Sequence, residues 1–146
     1  MNPAIEKFKE EKVFALCGVS ADTKKFGNYI VKELTARGYT MIPVHPSLEE
    51  VEGVRCLRTL DAVAGRTRSL IICVKPERAV GIIKEAASLG FERVWLQQGS
   101  GSPAAIEEAK NAGLEVVSGK CILMNTEPVK GIHRFHRAIA TLFGKG

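Results

Sequence analysis

No stretch of this chain is apolar for long enough to cross a bilayer: the longest hydrophobic run is a handful of residues, against the ~20 that a spanning helix needs. The beginning of the sequence carries no hydrophobic signal core, and its interspersed acids argue against a transit peptide; the expectation is a cytoplasmic protein with no membrane partner. Its four cysteines, Cys17, Cys56, Cys73 and Cys121, include no CxxC pair, which removes zinc-ribbon and thioredoxin-type readings. Reduced thiols are expected, Cys17 and Cys73 inside apolar runs where a thiol behaves as a small hydrophobe. Internal repeats, linkers and low-complexity tracts are lacking, as are a Walker A sequence and a Gly-x-Ser-x-Gly elbow.

What is present is the balance of an ordinary globular chain. The sequence has 146 residues, 45% hydrophobic and 25% charged, enough for one domain and not two. Lys and Arg outnumber Asp and Glu by 21 to 16, a net charge of +5 that favours anionic partners. The positive charge is scattered rather than blocked, which argues for a phosphate-bearing small molecule over nucleic acid.

Apolar runs at residues 13–19, 39–44, 70–74, 93–96 and 114–117 are continuous rather than alternating, as parallel strands covered on both faces require. A weaker segment around Val54 predicts a short extended piece. Between the runs the period becomes helical. Tyr29, Ile30, Val31 and Leu34 form a stripe ended by Gly38. Pro76 opens a helix carrying Ala79, Ile83, Ala86 and Ala87, stopped by Gly90. Ser102 and Pro103 supply a cap and a first-turn proline ahead of Ile106 and Ala109, and Gly113 closes that helix. Residues 57–63 predict a shorter helix. Alternating strands and helices on short connections predict an α/β fold: a single Rossmann-like domain, an open parallel sheet of about five strands with helices on both faces. Residues 3–11, with Ile5 and Phe8 on one side, predict an N-terminal helix. Ile132, Phe135, Ile139, Leu142 and Phe143 predict a C-terminal one. Docking on the body is the expectation for both, with a homodimer contact as the alternative.

Ligands of open α/β sheets bind outside the carboxyl ends of the strands, so four loops matter. The first runs from Gly18 to Asn28 into a helix N-terminus, where unpaired N–H groups and Lys24 or Lys25 suit a phosphate. Its glycines do not follow the dinucleotide spacing, since Ser20 and Thr23 stand where the second and third would be. The second strand ends in Val44, His45 and Pro46 with no acid for a ribose diol, the nearest being Glu49. Both features point away from NAD and leave NADP or another phosphorylated nucleotide. The third loop holds Val74, Lys75 and Pro76; the fourth holds Gln97, Gln98 and Gly99 before a capped helix.

Catalytic constellations are sparse. His133 and His136, three apart, are placed with no acidic or cysteine partner, so no metal site is expected. Cys121 is the one weak nucleophile candidate, with Lys120 able to lower its pKa, against the reading of a buried inert thiol.

Taken in order, Gly18-Val19-Ser20, Pro43-Val44-His45-Pro46, Val74-Lys75-Pro76, Trp95-Leu96-Gln97-Gln98-Gly99, and Val116-Val117 followed by Lys120-Cys121 resemble the small bacterial and archaeal CoA-binding domain proteins. These are similar to the N-terminal CoA-binding domain of the succinyl-CoA synthetase α-subunit, and the resemblance covers residues 11–124. It implies a Rossmann-type domain holding coenzyme A or an acyl-CoA. Gly18, Val19, Ser20, Lys24, Lys25 and Gly27 would line the phosphates, and Val44, His45 and Pro46 the adenosine end. Val74, Lys75 and Pro76 would flank the nucleotide, and Gln97, Gln98 and Gly99 the pantetheine arm. The chain departs from the family pattern at His45, Lys75 and Lys120, and it offers nothing matching the synthetase's second domain with its phosphorylated histidine. The expectation is one domain over 1–146, core 11–124 and helical tail 128–144, that binds CoA without catalysis of its own. The alternatives are an NADP-linked oxidoreductase, a CoA-dependent transferase using Cys121, and nucleic-acid binding through Lys130, Arg134 and Arg137.

Overall fold

The computed structural model describes residues 3–128. The elements run α1 (Pro3–Glu11), β1 (Val13–Cys17), α2 (Phe26–Ala36), β2 (Thr40–Val44), β3 (Glu50–Val51), β4 (Val54–Arg55), α3 (Leu60–Val63), β5 (Ser69–Ile72), α4 (Pro76–Ser88), β6 (Arg93–Leu96), α5 (Pro103–Asn111) and β7 (Glu115–Ser118), then a 3₁₀ turn at Ile122–Met124. Five strands form one sheet in the order β2-β1-β5-β6-β7, all pairs parallel. The expected Rossmann-like sheet with helices on both faces is the observed one.

Strand residues alternate between two apolar layers, because successive side chains leave opposite faces of the pleat. Phe14, Leu16, Ile71, Trp95 and Val117 face α1 and α2, meeting Phe8, Ile30, Val31 and Leu34. Ala15, Cys17, Leu70, Ile72, Val94 and Leu96 face α3, α4 and α5, meeting Leu60, Val63, Ala79, Ile83, Ala86, Ala105 and Ala109. The docking of α1 is aromatic: Phe8 is fully buried, edge-on to Trp95 with centroids 5.2 Å apart, and 5.9 Å from Phe14.

At the amino end of the sheet, Arg93 on β6 is buried and reaches Glu11 Oε1 at 2.7 Å and Ser69 Oγ at 2.9 Å. That network ties α1, β5 and β6 together at the rim away from the strand carboxyl ends.

Several boundaries differ from the sequence reading. Tyr29 points to solvent, and the buried face of α2 is completed by Gly27 and Asn28 instead. The helix expected over 57–63 is α3 alone, because Leu57 continues as an extended residue bridging Val44 at the open edge of β2. The extended piece around Val54 is one arm of a separate antiparallel hairpin, β3–β4. Ala105, not Ile106, is the fully buried partner of Ala109 on α5, with Ile106 packed partly buried beside it. The C-terminal stripe, His133, His136, Lys130, Arg134 and Arg137 lie outside the described residues.

Candidate functional site

Sheet order decides where a cleft opens. From β1 the chain crosses to β2 on one side and later returns to β5 on the other, so the loops leaving β1 and β5 diverge above the sheet. Cys73 N donates to Cys17 O at 2.8 Å, prolonging that pairing one residue past the strands, and Gly18 sits against it. Gly18 has φ +130, and a Cβ there would collide with the Cys73 carbonyl and lie 2.6 Å from its Cβ. Gly27, in the first turn of α2, rests on the Gly18 carbonyl, and a Cβ would overlap it. These two contacts bring the α2 N-terminus down onto the end of β1.

The loop between them is held by one buried amide. Asn28 is 1% exposed; its Oδ1 accepts from Ser20 N at 2.9 Å and its Nδ2 donates to Ser20 O at 2.7 Å. Ser20 Oγ accepts from Asp22 N, and Asp22 Oδ1 accepts from Lys24 N, so the acid of the loop is occupied with its own backbone. Of the exposed residues 21–26, Lys25 and Phe26 are the two that line the cleft.

A cleft of about 670 Å³ results, lined by Gly18, Val19, Ser20, Lys25, Phe26, Gly27, His45, Cys73, Val74, Lys75, Arg78, Gln98, Gly99 and Ser100. It contains three permanent cations and no carboxylate. A second recess of about 380 Å³ shares Gly18, Val19, His45, Val74 and Arg78 with it, and adds Cys17, Val44, Pro46, Arg58, Thr59, Leu60, Ile82 and one carboxylate, that of Glu85. The two are lobes of one crevice, joined at His45 and Arg78.

Helix capping around this crevice is uneven. At α5, Ser102 Oγ accepts from Ala105 N, and at α3, Thr59 Oγ1 accepts from Ala62 N. At α2 and α4, whose N-termini border the cleft, the cap positions are Lys25 and Lys75, and no side chain caps either helix. A lysine at the positive end of a helix dipole is unfavourable by itself and becomes favourable when an anion sits between them.

His45 is held in one tautomer. Its Nδ1 accepts from Ser47 N and Leu48 N, both at 3.1 Å, so the ring hydrogen resides on Nε2. Burial has the opposite kind of consequence for Cys73. It pushes that thiol, with the neighbouring Cys121 charge adding to the effect, up to about 12. Cys73 is therefore a neutral wall of the cleft near pH 7.

Of the residues read from sequence, Gly18, Val19, Ser20, Lys25, Gly27, His45, Val74, Lys75, Gln98 and Gly99 lie together in the larger lobe, and Val44 and Pro46 in the smaller. The lining of neither lobe includes Lys24, Pro76, Gln97 or Cys121. Lys24 is exposed on the loop, with its backbone N–H donated to Asp22 Oδ1, and Pro76 is the first residue of α4 after Lys75. Gln97 is 1% exposed and spends its amide inward, Nε2 to Cys121 Sγ at 3.1 Å and Oε1 to Ile122 N at 3.0 Å. It braces the segment that follows β7 and takes no part in the lining of either lobe.

Sequence reasoning missed Asn28, Phe26, Cys73, Arg78, Ser100 and Arg58. Arg78 was within reach, since it lies three residues after Lys75 and so on the same side of α4. Asn28 left only the faint signal of a polar residue inside an apolar helical face.

Residues 12–127 match the family model described as a CoA binding domain. The chain is 26% identical over 125 residues to the uncharacterized protein YneT of Bacillus subtilis, covering 83% of this chain and 93% of that one. It is 25% identical over 134 residues to an ADP-forming acetate–CoA ligase of Archaeoglobus fulgidus, covering 84% of this chain and 20% of the ligase. The solved structure of a conserved hypothetical protein from Pyrococcus furiosus is similar with a TM-score of 0.73 and 33% identity, covering 77% of this chain and 97% of the other.

Proposed function

The chain belongs to the CoA binding domain family, and from that premise we propose that its crevice holds coenzyme A or an acyl-CoA and performs no catalysis of its own. The observation that carries the reading is the pair of lysines at the uncapped N-termini of α2 and α4, facing the larger lobe, whose lining has no carboxylate; Glu85 stands in the smaller lobe, with Arg58, Arg78 and His45. Coenzyme A brings a pyrophosphate and a 3′-phosphate, and the site would meet them as follows. The pyrophosphate lies over Gly18–Ser20 and the first turn of α2, where Gly27 admits it to the backbone and Lys25 adds charge. The adenosine occupies the smaller lobe against Val44 and Pro46. Its 3′-phosphate takes charge-assisted bonds from Arg78 and a fixed hydrogen from His45 Nε2. Lys75, at the N-terminus of α4, adds its charge to the pyrophosphate from the facing wall, and pantetheine leaves along Gln98 and Gly99.

The non-catalytic part of the reading is supported by what the cleft brings together. Its thiols are Cys73 in the larger lobe and Cys17 in the smaller, both kept protonated by burial, while Cys121 is engaged with Gln97 outside the lining. The chain spans a fifth of the ligase it matches, so acyl-CoA ligation is not carried over to it. Cysteines without disulfides at positions 17, 56, 73 and 121 support a reducing, cytoplasmic setting. No helix among the described residues is long and apolar enough to cross a membrane. On this reading the core at 11–124 is the ligand-binding unit.

Thermal unfolding with CoA, 3′-dephospho-CoA, NADP and NAD tests the proposal. A ligand at a hundredfold excess over its Kd stabilises by about 2.7 kcal/mol. CoA should give the largest shift and dephospho-CoA a clearly smaller one. No shift with CoA, or a larger one with NADP, overturns the reading.

A further inference from the structure

A single buried polar side chain is left without a partner. Ser100 is 3% exposed and spends its N–H on Gln97 O at 2.8 Å, yet its hydroxyl makes no hydrogen bond among the described residues. The other buried polar side chains there, Asn28, Thr67, Ser69, Arg93, Gln97 and Thr126, each make at least one. An unpaired buried hydroxyl opposes folding, and native proteins keep few of them. This one is not sealed in. Among the described residues, the only unpaired side-chain polar atom cut off from the surface is Arg93 Nε. Ser100 lines the larger lobe, so its hydroxyl opens onto the crevice.

Strand order sets its distance from the adenosine end. Val44 ends β2, Gly18 follows β1, Cys73 follows β5 and Gln97 follows β6, and these strands are neighbours in the order β2-β1-β5-β6. At about 4.8 Å per strand, the turn after β6 lies roughly 14 Å across the sheet from Val44. Accordingly, Gln98, Gly99 and Ser100 border the larger lobe and not the smaller. Gly99 has φ +91, and a Cβ there would meet nothing within 4 Å. The turn closed by Ser100 N thus presents bare backbone over which a long ligand can pass, with the Ser100 hydroxyl beside it.

We infer that the Ser100 hydroxyl donates to an amide carbonyl of the pantetheine arm, and that through it the site prefers CoA and its thioesters to nucleotides that end at their phosphates. This rests on the CoA reading above and deepens it by naming a specificity-determining group for the arm. Lys25, Lys75 and Arg78 serve phosphates, whereas an amide calls for neutral donors and acceptors. Gln97 has already spent its amide on Cys121 and Ile122. Gln98 is exposed, so its amide trades solvent for ligand; the Ser100 hydroxyl gains a partner that the protein does not supply.

Calorimetric titration of the full chain with CoA and with adenosine 3′-phosphate 5′-diphosphate, which is CoA cut off at the arm, provides the test. A neutral hydrogen bond is worth about three- to tenfold in affinity. Ser100→Ala should weaken CoA by that factor and leave the truncated nucleotide within about twofold of wild type. The empty variant should melt no lower than wild type, since no hydrogen bond of its own is lost. The inference is overturned, with the CoA reading left standing, if the variant binds CoA within about twofold of wild type. An equal loss for both ligands also overturns it, because Ser100 would then act through the phosphate loops. If wild type binds neither ligand, the CoA reading fails and takes this inference with it.

Discussion

Removing the positive charges at Lys25 and Lys75 should have opposite effects on the empty and the liganded protein. Each lysine occupies the cap position of a helix that no side chain caps, at the positive end of its dipole. Both are exposed, and a surface charge at a helix end is worth roughly 0.3–1 kcal/mol, here against folding. Lys25→Gln with Lys75→Gln should therefore stabilise the empty protein by about 1 kcal/mol, raising Tm by roughly 3 °C in a chain of this size. With coenzyme A the sign reverses. A hydrogen bond to a charged group contributes about 1.5–3 kcal/mol, and solvent screening argues for the low end. Each substitution should then weaken CoA about tenfold, and the double variant by up to a hundredfold unless the two lysines share one phosphate. Calorimetric unfolding of empty and CoA-saturated protein measures both effects in one series, and both should shrink in 1 M salt, where the Debye length is about 3 Å. The argument is refuted if the empty double variant is less stable than wild type, or if its CoA affinity is unchanged within twofold.

Gly27→Ala and Gly81→Ala should diverge in the same way. A Cβ at Gly27 meets the Gly18 carbonyl, so the variant should lose about 1–3 kcal/mol and most of its CoA affinity; Gly81, in α4 with open space around it, should gain about 0.5–1 kcal/mol in urea unfolding. Arg93→Ala should cost about 3 kcal/mol by leaving Glu11 without its 2.7 Å partner, and pairing Arg93→Met with Glu11→Gln should recover most of it in the same assay. Cys17 and Cys73 are both pushed up to about 12 by burial from an unfolded value of 9.0. Their neutral forms favour the fold, so the stability they contribute is whole below pH 9 and is lost as pH rises towards 12, each thiol giving up at most about 1.4 kcal/mol for every tenfold fall in proton concentration. Denaturation from pH 8 to 11 should show that decline, and replacing both with Ala should flatten it. Iodoacetamide at pH 8 should modify neither appreciably.

The sheet was legible from the sequence because parallel strands buried on both faces need uninterrupted apolar runs, and β1, β2, β5, β6 and β7 each overlap such a run to within a residue or two. Helix positions were equally legible where punctuation is local: Pro76, Ser102 and Gly113 act within a turn of themselves. Gly18, Lys25, His45 and Lys75 could be nominated on the same basis, since each follows or caps an element whose end is visible in the chain. What local pattern cannot carry is direction. Gln97 stands at a strand end like Gln98, yet only the chain returning through Cys121 and Ile122 turns it inward. Tyr29 fits an apolar stripe, and only the approach of Gly27 to Gly18 rotates the helix so that Tyr29 faces solvent and Asn28 the interior. The strand order β2-β1-β5-β6-β7, which sets Cys73 beside Gly18 and opens the cleft, is a choice among distant pairings. Residue types and spacings set what each segment can be. Which surfaces meet, and hence which groups a ligand finds, depended on contacts between segments far apart in sequence, whose energies no single segment contains.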